Sequence, residues 1–194
     1  SNIKKDWEWL TEKNKLFGIN LENKSSEYVL LSVQGPNTHS LIKEISSHDS
    51  SKQKSFTILK TTIGKCPNIW ISTTGYTGAG GVELYIPVKY SDYIFKSLLE
   101  KGKKYNIQPV GLAARDTLRL EMGYCLYGNE LSDEISPVAA RLSWCTDFSK
   151  SFVGDSFVKN DRLNGTVQSR IGFQIIGRGI PRQGYPIVDF LGNK

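Results

Sequence analysis

Two segments of this sequence bring together residue types that can do chemistry. The first runs Ser72-Thr73-Thr74-Gly75-Tyr76-Thr77-Gly78-Ala79-Gly80-Gly81-Val82-Glu83-Leu84. Its glycines let a backbone approach a flat ligand closely and take positive φ where a turn needs it. Glu83 follows on a strand beside the apolar Val82 and Leu84, its carboxylate able to point inward or outward. Spacing alone favours the plainer alternative, a hairpin loop with a solvent-facing glutamate. It is not a phosphate loop, because no GK[ST] follows.

The second segment runs Gly111-Leu112-Ala113-Ala114-Arg115-Asp116-Thr117-Leu118-Arg119-Leu120-Glu121-Met122-Gly123-Tyr124-Cys125-Leu126-Tyr127-Gly128. Helical spacing sets Arg115, Arg119 and Met122 on one flank, with Asp116 and Leu120 on the next. Ordinary surface charge on an amphipathic helix accounts for Arg115 and Asp116 equally well. Tyr124 and Tyr127 lead into a loop ending near Pro137. Tyrosines in that place serve as core packing or as a stacking wall, and physics alone does not choose.

Other chemistries are poorly supplied. Cys66, Cys125 and Cys145 have no CxxC spacing and are odd in number, which argues against a disulfide framework or zinc site and suits a reducing compartment. His39 and His48 belong to no HExxH-like arrangement and read as surface or helix-end residues. The net charge of +6 comes from scattered lysines. Their densest groups, Lys4-Lys5 and Lys101 to Lys104, lack the aromatic and glycine pattern of an RNA-binding sheet, so a solvated surface is expected and no nucleic acid. The apolar stretch from Tyr28 to Val33 is far too short to cross a bilayer, so no membrane partner is expected either.

The elements that must position these residues follow from periodicity. A helix from Asn2 to about Lys15 carries Ile3, Trp7 and Leu10. Tyr28 to Gln34 reads as a strand broken by Gly35-Pro36, and a helix through Leu41, Ile42 and Ile45 follows. Phe56 to Ile63, Ile69 to Thr73 and Val82 to Ile86 read as antiparallel strands, the last two joined by the glycine-rich turn. Ser91 to Lys101 is a helix with Ile94, Phe95, Leu98 and Leu99 on one face and Gly102 as its stop. Leu112 to Met122 is another. The expected fold class is α+β, antiparallel sheets with flanking helices. After Gly165 the texture changes: Ser169 to Ile176 and Tyr185 to Phe190 are expected as short strands opening a C-terminal β-barrel. The domains are therefore set at 1–165 and 166–194. Leu191 to Lys194 reads as a hairpin turn with no returning strand, as if the sequence were cut.

On three runs, GLxARDTLRLE (Gly111 to Glu121), LYGNEL (Leu126 to Leu131) and SPVxAxLSW (Ser136 to Trp144), the chain resembles the aminomethyltransferases of the glycine cleavage system and their folate-binding relatives. The S-x-T-G-Y-T-G turn with a glutamate five residues beyond its last glycine is similar to that family too, as is the Leu30-Leu31-Ser32-Val33-Gln34-Gly35-Pro36 strand. The resemblance covers nearly the whole chain in order. It implies a tetrahydrofolate-dependent transferase, the T-protein, partnered by lipoylated H-protein, needing no metal, and located in the cytoplasm or, in a eukaryote, the mitochondrial matrix. By the same resemblance Glu83 holds the pterin, Arg115 is a pocket arginine, and Tyr76 and Tyr124 line the cavity. The family's catalytic aspartate falls before Ser1, so no catalytic residue is assigned and the isolated chain is expected to be inactive. Asp116 reads as a helix-stabilising charge.

The sequence departs from that pattern at Thr73, where arginine is usual, at Ala79-Gly80, where Glu-Asp is common, and at Ala139 and Arg141, which replace a glutamate and a glycine. A divergent or non-catalytic folate-binding paralogue is the alternative: an iron–sulfur assembly factor, or the folate domain of a sarcosine or dimethylglycine dehydrogenase. Iron–sulfur relatives carry a reactive K-G-C-[YF]-x-G. Lys150-Ser151-Phe152-Val153-Gly154 occupies that region without a cysteine, which favours the enzyme.

Overall fold

The computed structural model describes residues 2–182 and 184–193, which form two compact units, Ser1–Tyr124 and Cys125–Lys194. In the first unit the order is α1 (Ile3–Asn14), β1 (Tyr28–Gln34), α2 (Thr38–Ile45), β2 (Ile58–Ile63), β3 (Cys66–Ser72), β4 (Gly81–Pro87), α3 (Ser91–Gly102) and α4 (Leu112–Glu121). The strands make one antiparallel sheet in the order β1-β4-β3-β2. The fold class is the one expected. The strand after Gly64 begins earlier than periodicity suggested and takes in Pro67.

Strand alternation decides which face is core. On β4, Val82, Leu84 and Ile86 are fully buried, while Glu83 and Tyr85 between them are half-buried on the other face. Register aligns Leu31 and Ile71 with Leu84, so the inward row continues across three strands. Leu41, Ile42 and Ile45 of α2 and Ile94 and Leu98 of α3 close over that row. Phe95, expected on the same helical face, is instead 43% exposed. Two helices cover one face of the sheet; the opposite face carries Leu30, Ser32, Trp70, Ser72, Glu83 and Tyr85. Helix α1 has the expected span but no buried side chain.

The second unit contains α5 (Asp155–Asn164), whose Val158 is buried, and a long irregular segment. Neither Ser169 to Ile176 nor Tyr185 to Phe190 forms a strand. The physical reason is pairing: a strand exists through its ladder, and among the described residues no other strand runs beside either segment. Phe173, Ile176 and Phe190 stand exposed there. Arg141 takes φ 58°, a left-handed conformation that costs little only for glycine, which accounts for the glycine usual at that place. No helix among the described residues is long and apolar enough to cross a membrane.

One comparison tests this division of the sheet. Leu84→Ala removes a fully buried side chain and is expected to lower unfolding free energy by about 2–5 kcal/mol in denaturant titration. Leu30→Ala, at a leucine 50% exposed on the opposite face, is expected to cost about 1 kcal/mol or less. Equal losses would mean that both faces are packed alike.

Candidate functional site

Glu83 is placed by its two neighbours on the ladder, Ser32 of β1 and Ser72 of β3. Both are small, so the carboxylate stands in a polar trough on the sheet's uncovered face. The Thr74 hydroxyl donates to Glu83 Oε2, and Ser72 Oγ lies 2.9 Å from Thr74 Oγ1. One carboxylate oxygen is thereby fixed. Among the described residues nothing donates to Oε1, and since no fully buried side-chain atom goes unpaired, that oxygen is not sealed from solvent. Burial, with the Glu83 carboxylate adding to it, pushes the Tyr85 phenol up, as expected for two groups side by side on one face.

Tyr76 sits on the turn between β3 and β4. The Arg115 guanidinium lies over its ring, 4.7 Å from the centroid, and Tyr124 stacks on it at 5.9 Å with 19° between planes. The structure thus brings Tyr76, Arg115 and Tyr124 into one cluster. A cation over a ring and an offset ring pair are each attractive by about 0.5–1 kcal/mol at exposed sites. Glu83 joins the cluster only through the turn: its partner Thr74 is two residues from Tyr76. Arg115 forms no ion pair with Glu83 among the described residues; its charge is directed to the tyrosine ring.

The end of α4 meets the turn directly at Met122, and its Arg119 supports Tyr124, which stacks on Tyr76. A Cβ on Gly78, which has φ +67°, would come within 2.4 Å of Met122 Cε, so the helix end packs directly on the glycine backbone. Arg119, only 2% exposed, is the one buried residue of α4. Its Nε donates to Asp116 Oδ1 at 2.8 Å, and its Nη1 donates to the Tyr124 carbonyl at 2.9 Å. The Tyr124 N–H in turn donates to the Arg119 carbonyl at 2.9 Å. Arg119 therefore fixes the backbone of Tyr124. Sequence reasoning placed Arg119 on the Arg115 flank and gave it no task; an aspartate three residues ahead was the available signal. Thr73, standing where arginine is usual, donates through Oγ1 to the Lys54 carbonyl and ties the turn's start to the segment before β2.

A cleft of about 530 Å³ opens beside the cluster, with Tyr76, Thr77, Gln34, Arg115, Phe95 and Leu112 in its wall. Glu83 and Tyr124 do not line it. A cavity of about 630 Å³ in the second unit, around Ser136 and Asp161, contains none of the four residues expected from sequence.

With this geometry in view, the comparisons with known proteins are specific. Residues 1–150 match the GCVT N-terminal domain, and the chain belongs to that family. It is 39% identical over 193 residues to an aminomethyltransferase of Flavobacterium psychrophilum, covering 100% of this chain and 53% of that protein. With an aminomethyltransferase of Bacteroides thetaiotaomicron it shares 43% identity over 191 residues, covering 97% and 53%. The glycine cleavage system aminomethyltransferase T from Bartonella henselae is similar in structure, with a TM-score of 0.84 at 27% identity over 99% of this chain and 52% of that one. The chain spans about half the length of the relatives it matches.

The support given by Arg119 can be measured. Lysine keeps the charge but not the fork that reaches Asp116 and Tyr124 together. Arg119→Lys is expected to cost about 1–3 kcal/mol of unfolding free energy, close to Arg119→Met, because the Tyr124 carbonyl loses its donor and the space Arg119 fills is left poorly occupied. A lysine variant as stable as the parent would show that charge alone suffices.

Proposed function

We propose that the protein is the tetrahydrofolate-dependent aminomethyltransferase of the glycine cleavage system, the T-protein, acting with lipoylated H-protein. In the reaction the aminomethyl carbon on the dihydrolipoyl arm passes to tetrahydrofolate. The carbon–sulfur and carbon–ammonia bonds break, two carbon–nitrogen bonds to the folate form, and the two folate N–H protons leave with ammonia and the freed thiol. The products are methylene-tetrahydrofolate, ammonia and the dihydrolipoyl arm.

The observation that carries the reading is the half-held carboxylate of Glu83, with Oε2 engaged by Thr74 and Oε1 open. A reduced pterin presents an amino group and an adjacent ring N–H, a donor pair that a carboxylate accepts side by side. Tyr76 and Tyr124, stacked on each other with Arg115 over the Tyr76 ring, stand as an aromatic wall for the flat pterin. Arg115 holds its guanidinium at the cleft, where it suits the anionic part of the folate. The chain's excess of lysine is in keeping with a polyanionic substrate tail. On the same reading 1–165 is the folate-binding region, 166–194 begins a β-barrel domain, no metal takes part, and the protein works in the cytoplasm, or the matrix if eukaryotic. On this reading Glu83, Arg115, Tyr76 and Tyr124 bind and orient the folate, none of them is the acid that stabilises developing positive charge, and the 194 residues alone are expected not to turn over.

The test is Glu83→Gln in the full-length protein, with tetrahydrofolate binding followed by calorimetry. A neutral amide replaces one good acceptor with a donor. The expected loss is at least about tenfold in affinity, the equivalent of one charge-assisted hydrogen bond. A folded variant that binds as tightly as the parent would overturn the assignment.

A further inference from the structure

Both halves of the candidate site hang from one turn, and one side chain outside the four expected positions grips that turn. We propose that Gln34 is the positioning residue that sets Thr74 and Tyr76 for the ligand. It is the last residue of β1 and lies opposite Gly81 in the β1–β4 register. Its Nε2 donates to the carbonyls of Thr74, at 3.4 Å, and Val82, at 3.3 Å. Its Oε1 accepts from Thr77 Oγ1 at 3.3 Å. A primary amide has two N–H groups and one carbonyl, and all three functions are used. The reverse orientation of the amide would set its oxygen against two carbonyl oxygens, so the assignment is chemically fixed. Each contact is long for a hydrogen bond, and the grip depends on the three acting together. They bracket Tyr76 on both sides. Beside them the Gly35 N–H donates to the Gly80 carbonyl at 2.9 Å, closing the same loop through backbone.

Space gives an independent line of support. A Cβ on Gly75 would stand 2.0 Å from Gln34 Oε1, and one on Gly81 would stand 2.5 Å from Gln34 Cδ. No side chain fits at either position while the amide keeps its place. These two glycines are thus accounted for by the glutamine they enclose. Thr74 carries the hydroxyl that holds Glu83, and Tyr76 carries the ring on which Arg115 and Tyr124 stack. Loosening one amide therefore releases the carboxylate's anchor and the aromatic cluster together.

This inference rests on reading the site as the pterin site and adds to it the residue that orders it. Gln34→Glu preserves shape but removes both donors and brings a charge against two carbonyls; Gln34→Met preserves length alone. The experiment measures amide hydrogen exchange and tetrahydrofolate affinity in the full-length protein and both variants. Exchange at Gly35, whose N–H donates to the Gly80 carbonyl, and at Ala79, whose N–H donates to Thr77 Oγ1, is expected to quicken by about tenfold or more in Gln34→Glu, while Leu84 and Ile86 in the core strand keep their protection. Tetrahydrofolate affinity is expected to fall by about tenfold, and that loss to shrink toward none in a Thr74→Ala/Tyr76→Ala background, which removes both routes by which Gln34 acts through the turn. Unchanged exchange in the turn overturns the proposal, and so does a loosened turn with undiminished affinity. If the parent fails to bind tetrahydrofolate, the folate reading falls, and exchange in the turn still decides whether Gln34 holds it.

Discussion

A strand has two faces, and β4 gives one of them entirely to the core. Val82, Leu84 and Ile86 are fully buried beneath α2 and α3. Burial of this kind is worth about 1.5–3 kcal/mol for each large aliphatic side chain, so the register of β4 is not negotiable. With those three fixed, the pleat has no choice about Glu83 and Tyr85: they stand on the far face. A one-residue slip would put a carboxylate in the core and three aliphatic side chains outside. The rest of the site depends on that constraint.

What the pleat provides is a direction; the turn and α4 provide the detail. The Thr74 hydroxyl fixes one oxygen of Glu83, while Gln34 holds the backbone that carries Thr74 and Tyr76. From the other side Met122 rests on Gly78, and the buried Arg119 fixes Tyr124 where it meets Tyr76. Groups placed to face a ligand are half-buried or exposed, while among those that hold them Arg119 is buried and Gln34 and Thr74 are fixed by hydrogen bonds. Such a division keeps the desolvation cost of a charged group low until a ligand arrives.

Much of this was legible in the residues. Alternation marked β1 to its last residue, and the glycine run marked the turn. The α4 periodicity placed Arg115 and Arg119 on one flank. Whether Glu83 pointed inward was not legible, because alternation names two faces without saying which one the helices cover. The burial of Arg119 was only half legible: Asp116 lies one turn away on the same helix, but the Tyr124 carbonyl is brought close by the way the helix ends. Gln34 looked like the end of a strand, since its three bonds reach residues forty or more positions away. Ser169 to Ile176 has the composition of a strand, but composition supplies no partner for the ladder.

The central claim is that Glu83, positioned through Oε2 by Thr74, accepts the pterin's donor pair on its carboxylate. A crystal structure of the full-length protein with tetrahydrofolate tests it most directly. The account predicts the pterin amino group and ring N–H within about 2.7–3.2 Å of the Glu83 carboxylate, with Thr74 still bonded to Oε2. A pterin seated elsewhere, with Glu83 bonded to Thr74 alone, would contradict it.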